Sequence, residues 1–244
     1  MENKLIEENY KGFKLYYYNS YFLDLGKEIV DKNIKITEEY KITKRNYVVK
    51  ILYNNKEYIL KSPGNEHRLI QRKIMTIFKN GEALNTLSNL KKLENEGLDI
   101  YAKPFLAIVK RKNKMIVESY LVLEYIESEY KFSKELIKDI LEMEKRIHRN
   151  GVYHGDFNPS NLIYTKEGIK VIDTQGKKYR FGDYRHNYDL LTLEDSIYNR
   201  FGFETWYEKN LWFYLAYGMK RFKRLKFIKR IKKFRKNFRN KNGE

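Results

Sequence analysis

The sequence predicts an α+β chain in two lobes, a small antiparallel sheet with helices followed by a short, mainly helical second lobe. Three observations carry this. Residues 10–61 are rich in aromatic and β-branched residues broken into short runs. Residues 69–93 and 133–149 place apolar side chains at helical spacing. After the second helical stretch comes a loop with His154, Asp156 and Asn161, then a hairpin that ends on Asp173. With 244 residues, 42% hydrophobic and 16% aromatic, the chain has material for one large domain or two small lobes, and global disorder is excluded.

The elements follow in order. Phe13–Tyr18, Ile34–Tyr40, Tyr47–Tyr53 and Tyr58–Lys61 read as strands, with Asn54-Asn55-Lys56-Glu57 as the turn of the last hairpin. After Ser62-Pro63-Gly64, a helix pair or one kinked helix is expected. Its apolar positions are Leu69, Ile70, Ile74, Ile77 and Phe78, then, past a break at Asn80-Gly81, Leu84, Leu87, Leu90 and Leu93. Ile108–Lys110 and Met115–Tyr125 suggest a hairpin turning at Arg111-Lys112-Asn113-Lys114, and the chain leaves the first lobe through Glu127-Ser128-Glu129. A helix over 133–149, opened by Ser133, buries Leu136, Ile140, Leu141, Met143 and Ile147 and stops at Asn150-Gly151. The expected divisions are residues 1–126 as the first lobe, 127–219 as the second, and 220–244 as a basic terminal helix.

Composition excludes several classes. With no cysteine there is no disulfide framework, no cysteine zinc site and no thiol catalysis. The start, Met1 to Tyr10, is polar and acidic and does not read as a secretory signal. Leu211 to Met219 is the longest near-apolar run, far short of the roughly 20 residues that span a bilayer. Four histidines look too few and too scattered for a metal site. His148 reads as a packing residue at a helix end, and His154 as one that positions Asp156 from beneath the loop.

The chemistry sits in Val152 to Asp173. Phosphoryl transfer needs a carboxylate at the accepting hydroxyl and hard oxygen ligands for magnesium. Asp156 supplies the first; Asn161, five residues on, and Asp173, delivered by the hairpin Leu162–Ile172, supply the second. In the first lobe Lys61 ends a strand where a cation reaches nucleotide phosphates. Glu82 is placed to pair with it, with Glu66 or Glu94 as alternatives if the helix register differs. Leu121 to Ile126, including Glu124 and Ile126, reads as the hinge whose backbone holds adenine. The expected cofactors are therefore ATP and Mg2+. Between Gly26 and Gly64 there is no glycine, so the glycine-rich loop that covers phosphates in protein kinases is missing. Of the 71 residues after Asp173, the last 25 are the basic tail, and the remainder is too short for a protein-docking lobe. Asp189 is read as a brace for the catalytic loop.

Beyond this general kinase pattern, the whole chain resembles the lipopolysaccharide core heptose(II) kinase family. The resemblance rests on Tyr10-Lys11-Gly12-Phe13 with Tyr16-Tyr17-Tyr18, on Tyr58-Ile59-Leu60-Lys61, on Lys79-Asn80-Gly81-Glu82, on Leu123-Glu124-Tyr125-Ile126 and on Val171-Ile172-Asp173-Thr174-Gln175-Gly176-Lys177. It implies a two-lobed protein-kinase-like fold and ATP-dependent phosphorylation of an inner-core heptose at the cytoplasmic face of the inner membrane. The competing readings are a small atypical protein kinase or ATPase of tRNA-modification complexes, a kinase for another small molecule or glycan, and a non-catalytic pseudokinase adaptor, which intact Asp156, Asn161 and Asp173 oppose.

Charge separates the partners. The chain holds 50 Lys+Arg against 32 Asp+Glu, a formal +18, and Lys220 to Glu244 alone holds 13 basic residues and one acid. At 100° per residue, Phe227, Ile228, Ile231, Phe234 and Phe238 fall within about 120° of one helix face. A basic helix with an apolar stripe fits an anionic membrane surface bearing lipid-linked core oligosaccharide. Nucleic acid is the weaker partner, because a basic RNA-binding tail needs no stripe.

Overall fold

The computed structural model describes residues 4–43, 47–64, 66, 69–202 and 208–225. The tail stripe from Phe227 to Phe238 lies outside the described residues. The chain divides into two units, Met1–Ile126 and Glu127–Glu244.

Unit 1 is built on one antiparallel sheet of seven strands: β1 (Ile6–Tyr10), β2 (Phe13–Tyr17), β3 (Lys35–Ile42), β4 (Tyr47–Tyr53), β5 (Lys56–Ser62), β6 (Pro104–Lys112) and β7 (Met115–Glu124). Their spatial order is β1-β2-β6-β7-β5-β4-β3. Two tight turns set the hairpin registers. Asn54 and Asn55 have φ +48° and +60°, and Asn113 and Lys114 have φ +52° and +64°, the left-handed pair that a two-residue hairpin turn requires. The first hairpin thus turns over two residues and β5 starts at Lys56, two residues before the expected strand. The edge strand β3 is exposed along its whole length, and its pairing with β4 breaks register between Ile36 and Glu38 and again between Glu39 and Lys41.

Residues 10–61 are not all strands. Tyr21–Asp31 is a helix, α1, that buries Phe22, Leu25 and Ile29, and the acidic opening Ile6–Tyr10 is a strand. α1 covers one face of the sheet, packing with Leu15, Ile51, Leu60, Leu106 and Val122 into the larger core cluster. The opposite face is covered by the helix Glu82–Asn95, where Ala83, Leu84 and Leu87 meet Ala107 and Leu121. Between these lie a short α2 (Ile70–Met75) and a 3-10 turn (Thr76–Phe78); Glu82–Asn95 is α3. The apolar residues of 70–78 do not form the buried face that their spacing suggests, for Ile70, Ile74 and Phe78 are exposed. What fixes this segment is polar. Arg111 donates to the carbonyls of Thr76 at 2.7 Å, Lys79 at 2.7 Å and Lys114 at 2.6 Å, and the Thr76 hydroxyl accepts from the Ile116 N–H at 2.9 Å.

Unit 2 holds α4 (Ile137–Arg149), α5 (Tyr184–Phe201) and α6 (Leu211–Arg224), with β9 (Leu162–Thr165) paired to β10 (Gly168–Val171) and β8 (Val152–Tyr153) paired to β11 (Lys177–Lys178). α4 begins at Ile137 and has no side-chain cap, so Ser133 does not open it. α6 runs through the expected division between 219 and 220. Lys220 to Arg224 form its last turn and a half and belong to the helix that packs on α5.

Candidate active site

Asp156 sits in a loop whose shape is set almost entirely by hydrogen bonds. Asp189, on α5 and 1% exposed, accepts from two successive backbone groups, the N–H of His154 at 2.6 Å and of Gly155 at 2.8 Å. Gly155 has φ +89°, a backbone conformation that suits glycine. The next N–H, of Asp156, is taken by His154 Nδ1 at 3.3 Å. With Nδ1 accepting, the ring carries its proton on Nε2, which donates to the Ile172 carbonyl at 2.9 Å. His154 therefore ties the loop to Ile172, just past the end of the β9–β10 hairpin and one residue from Asp173.

The same stitching fixes the candidate metal ligands. Asn158 caps the 3-10 turn Pro159–Asn161, accepting from the Ser160 N–H and hydroxyl, and donates its amide to the Asp156 carbonyl at 3.0 Å. Asn161 Nδ2 donates to that carbonyl too, at 2.9 Å, which turns its Oδ1 outward as the end that can meet a cation. The Ile172 N–H donates to the Asn161 carbonyl at 3.0 Å, so Asp173 follows immediately after a residue bonded to Asn161. Asp173 has φ +58°, a left-handed conformation that costs a non-glycine residue about 1 kcal/mol and is kept where surrounding structure dictates it. An amide oxygen and a carboxylate are the hard donors that suit Mg2+. Of the residues singled out in the sequence, Asp156, Asn161 and Asp173 are brought together by one loop and one hairpin.

Beneath the loop lies a buried cluster that its spacing in sequence conceals. Glu144 is 1% exposed, and its Oε1 lies 2.6 Å from Nδ1 of His148, four residues on along α4. His148 Nε2 is 3.7 Å from Asp189, and His186, from the first turn of α5, reaches Glu144 Oε1 at 3.8 Å. Burial works against a charged His148, but Asp189 and Glu144 outweigh it and raise its pKa to about 9. Burial raises Glu144 as well, opposed by His148. His186 is pushed down to about 4 by burial and by the neighbouring imidazolium. One ligand atom each from Glu144, His148 and His186 falls within 4.8 Å of the others, so the histidines are less scattered than the sequence suggests. A positive charge on His148 lies within 4 Å of both Glu144 and Asp189. His148 is thus more than packing, since it neutralises the two acids that the brace brings indoors.

In unit 1, Lys61 lies directly opposite Val48 on β4 and Leu121 on β7. Side chains alternate along β5, so Tyr58 and Leu60 face α1 while Lys61 shares the other face with Leu121, the face that α3 covers. Glu82 is the first residue of α3 and adjoins Ala83, which packs on that Leu121. Glu66, the alternative partner, is committed elsewhere: its Oε1 accepts the Glu82 backbone N–H at 2.8 Å and so caps α3. Burial raises the Glu66 pKa against that bond. Gly81 precedes the helix at φ +93°, and a Cβ there would collide with Ile116. Glu94, the other alternative, is paired with Lys91 at 2.7 Å near the far end of α3. At the sheet's exit, the Glu124 N–H donates to the Lys103 carbonyl at 2.8 Å, its carboxylate accepts from the Lys103 N–H at 3.1 Å, and β7 ends there, two residues before Ile126.

A sheet with a lysine strand backed by a helix, then helix, loop, hairpin and Asp, is the element order that the sequence leads one to expect. The chain belongs to the lipopolysaccharide core biosynthesis protein (WaaY) family, whose family model matches residues 4–234. No curated protein matches the sequence. Among solved structures the chain is similar to WaaP in complex with acyl carrier protein, at 14% identity and a TM-score of 0.46, over 69% of this chain and 73% of that one.

Proposed function

We propose that this chain is an ATP-dependent kinase that phosphorylates a heptose hydroxyl of the lipopolysaccharide inner core at the cytoplasmic surface of the inner membrane. The observation that carries the reading is the Asn161–Ile172 bond, which seats Asp173 beside Asn161 while Asn161 itself holds the backbone of Asp156. The family membership supplies the lipopolysaccharide core as the setting.

Asp156 accepts or orients the proton of the attacking hydroxyl. Asn161 Oδ1 and the Asp173 carboxylate would hold Mg2+, which would supply positive charge to the transferring phosphoryl group. In unit 1, Lys61 meets the nucleotide phosphates, Glu82 directs it, and the backbone from Glu124 to Ile126 receives adenine. His154 keeps Asp156 in place without touching substrate.

Full-length protein supplied with radiolabelled ATP, magnesium and delipidated core oligosaccharide tests this directly. Asp156→Ala should lower phosphate transfer by about 100-fold to 1,000-fold, the usual cost of losing one transition-state group. Unchanged transfer would remove Asp156 from the mechanism. Mass spectrometry of lipid-linked core from cells with and without the protein should differ by one phosphate on a heptose. An identical phosphate count there, with ATP turnover intact, would move the acceptor to another glycan.

A further inference from the structure

Helix α6 meets α5 through Phe213 and Ala216 and, toward its end, through Lys220 and the tips of exposed Lys223 and Arg224. Phe213 and Ala216 meet Leu191 of α5, and toward the helix end the contacts with α5 are ionic and polar. Lys220 Nζ lies 2.6 Å from Asp195, Arg224 pairs with the same carboxylate, and Lys223 donates to the Tyr188 hydroxyl at 2.8 Å. The apolar residues are left facing out. Leu211, Tyr214, Leu215, Met219, Phe222 and Leu225 are all exposed, Leu211 by 68% and Phe222 by 53%. At 100° per residue they fall within about 140° of one face. A helix that merely docked on unit 2 would turn this apolar stripe inward.

The stripe continues beyond the helix. Phe181, in the segment that follows Asp173, is 82% exposed and stacks edge-on against Trp212 at 5.4 Å. Gly182 makes that possible, since a Cβ there would overlap the Trp212 ring. On the other flank, a groove of about 540 Å³ between α5 and α6 is lined by Lys220, Arg221 and Arg224 against the single acid Asp195. An apolar stripe edged by Trp and Tyr, beside a cleft with three cations and one acid, matches the layering of an anionic bilayer: acyl chain, interface, phosphate.

We infer that α6 is the surface by which this chain sits on an anionic lipid bilayer, with Leu215 and Phe222 at the centre of the inserted stripe. This deepens the membrane reading proposed above and relocates it, from the tail to a helix preceding it. Leu225, at ψ 138°, ends α6 before the tail stripe begins. Because Phe181 follows the candidate metal ligand Asp173 by eight residues, the inserted surface and the acceptor side of the loop share one segment. A lipid-linked acceptor is then delivered along the membrane rather than from solution.

The chain has no native cysteine, so single cysteines at 215 and 222 can carry an environment-sensitive dye on the full-length protein. With vesicles of three parts phosphatidylethanolamine to one part phosphatidylglycerol, both labels should shift to the blue and be quenched by brominated acyl chains. Vesicles of phosphatidylcholine alone should give at most one-tenth of that response. The double variant Leu215→Ser/Phe222→Ser should lose at least tenfold in flotation with the anionic vesicles while phosphorylating delipidated core oligosaccharide at the parent rate. Labels that stay water-exposed on protein that floats would assign binding to residues 226–244 and overturn the inference. Labels that shift without lipid, together with a dimer in sedimentation, would assign the stripe to a second copy and overturn it equally. Loss of kinase activity in Asp156→Ala is independent of these readouts, so failure of the phosphotransfer reading and failure of the insertion surface are distinguishable.

Discussion

Lys61 and Asp156 are held by opposite means. Lys61 is placed by packing: strand pairing sets its register, pleating sets its face, and α1 and α3 press on the two sides with aliphatic side chains that carry no directional information of their own. Asp156 is placed by polar bonds, for its loop has little regular structure to lean on and nearly every N–H nearby is claimed by a named acceptor. The difference teaches where each unit is vulnerable. A sheet tolerates the loss of any one contact by local relaxation, whereas a loop stitched through one carboxylate loses its shape with it.

The sharpest way to break this contrast is Asp189→Ala. It strands two backbone N–H groups and leaves His148 and Glu144 unbalanced, and it should cost about 3–5 kcal/mol, the range for removing one partner of a buried charged network. Urea unfolding should show it, and Asp189→Asn should recover only part. A loss under about 1 kcal/mol would mean that the loop is held by something else. Leu87→Ala asks the same of the sheet side. Leu87 is fully buried between α3 and the strands, and its truncation should cost about 3 kcal/mol while raising KM for ATP less than tenfold, because Lys61 keeps its register.

Next in size is the pH response of the network beneath the loop. His148 is raised from 6.5 to about 9, so its stabilisation is complete below its unfolded value and is lost as pH rises through 9. His186 is depressed from 6.5 to about 4, so its contribution is present above its unfolded value and is lost as pH falls toward 4. Thermal unfolding temperature should therefore decline on both sides of neutrality, with on the order of 3 kcal/mol at stake on the alkaline side. His148→Gln should flatten the alkaline limb, and a limb that survives that change would place the titration elsewhere. The smallest effect belongs to α6. Asp195 is partly exposed and meets Lys220 and Arg224 at the surface, so Asp195→Ala should cost no more than about 1 kcal/mol by urea unfolding. A larger loss would show that these ion pairs carry the packing.

The same contrast explains what was legible in the sequence. Asp156, Asn161 and Asp173 were legible because a loop must write its polar chemistry locally, and Asp189 was legible for its position after the hairpin. β4 and the two hairpins were legible from alternation and from Asn-rich turns. α1 was not, because Tyr21 to Val30 opens on two aromatics, ends on two β-branched residues and carries Gly26 in its middle. Its helical signal is only Phe22, Leu25 and Ile29 on one face. The exposed apolar residues of 70–78 misled because periodicity reports a face and not what covers it. Glu144 was missed since a buried acid is explained only by its partners, and His186 comes from a different helix. The pairing of Lys220 and Arg224 was beyond reach for the same reason: Asp195, which both meet, lies on α5.

The two register breaks in β3 bear on how the protein behaves at high concentration. An open sheet edge offers a row of unpaired backbone groups to any passing strand, and a long flat edge invites fibre growth. Here that edge bears Lys35, Glu38, Glu39 and Lys41 and is bent twice by bulges, so the spacing of its outward N–H and C=O groups matches no regular strand. Crowding should therefore not extend the sheet from one molecule into the next at β3.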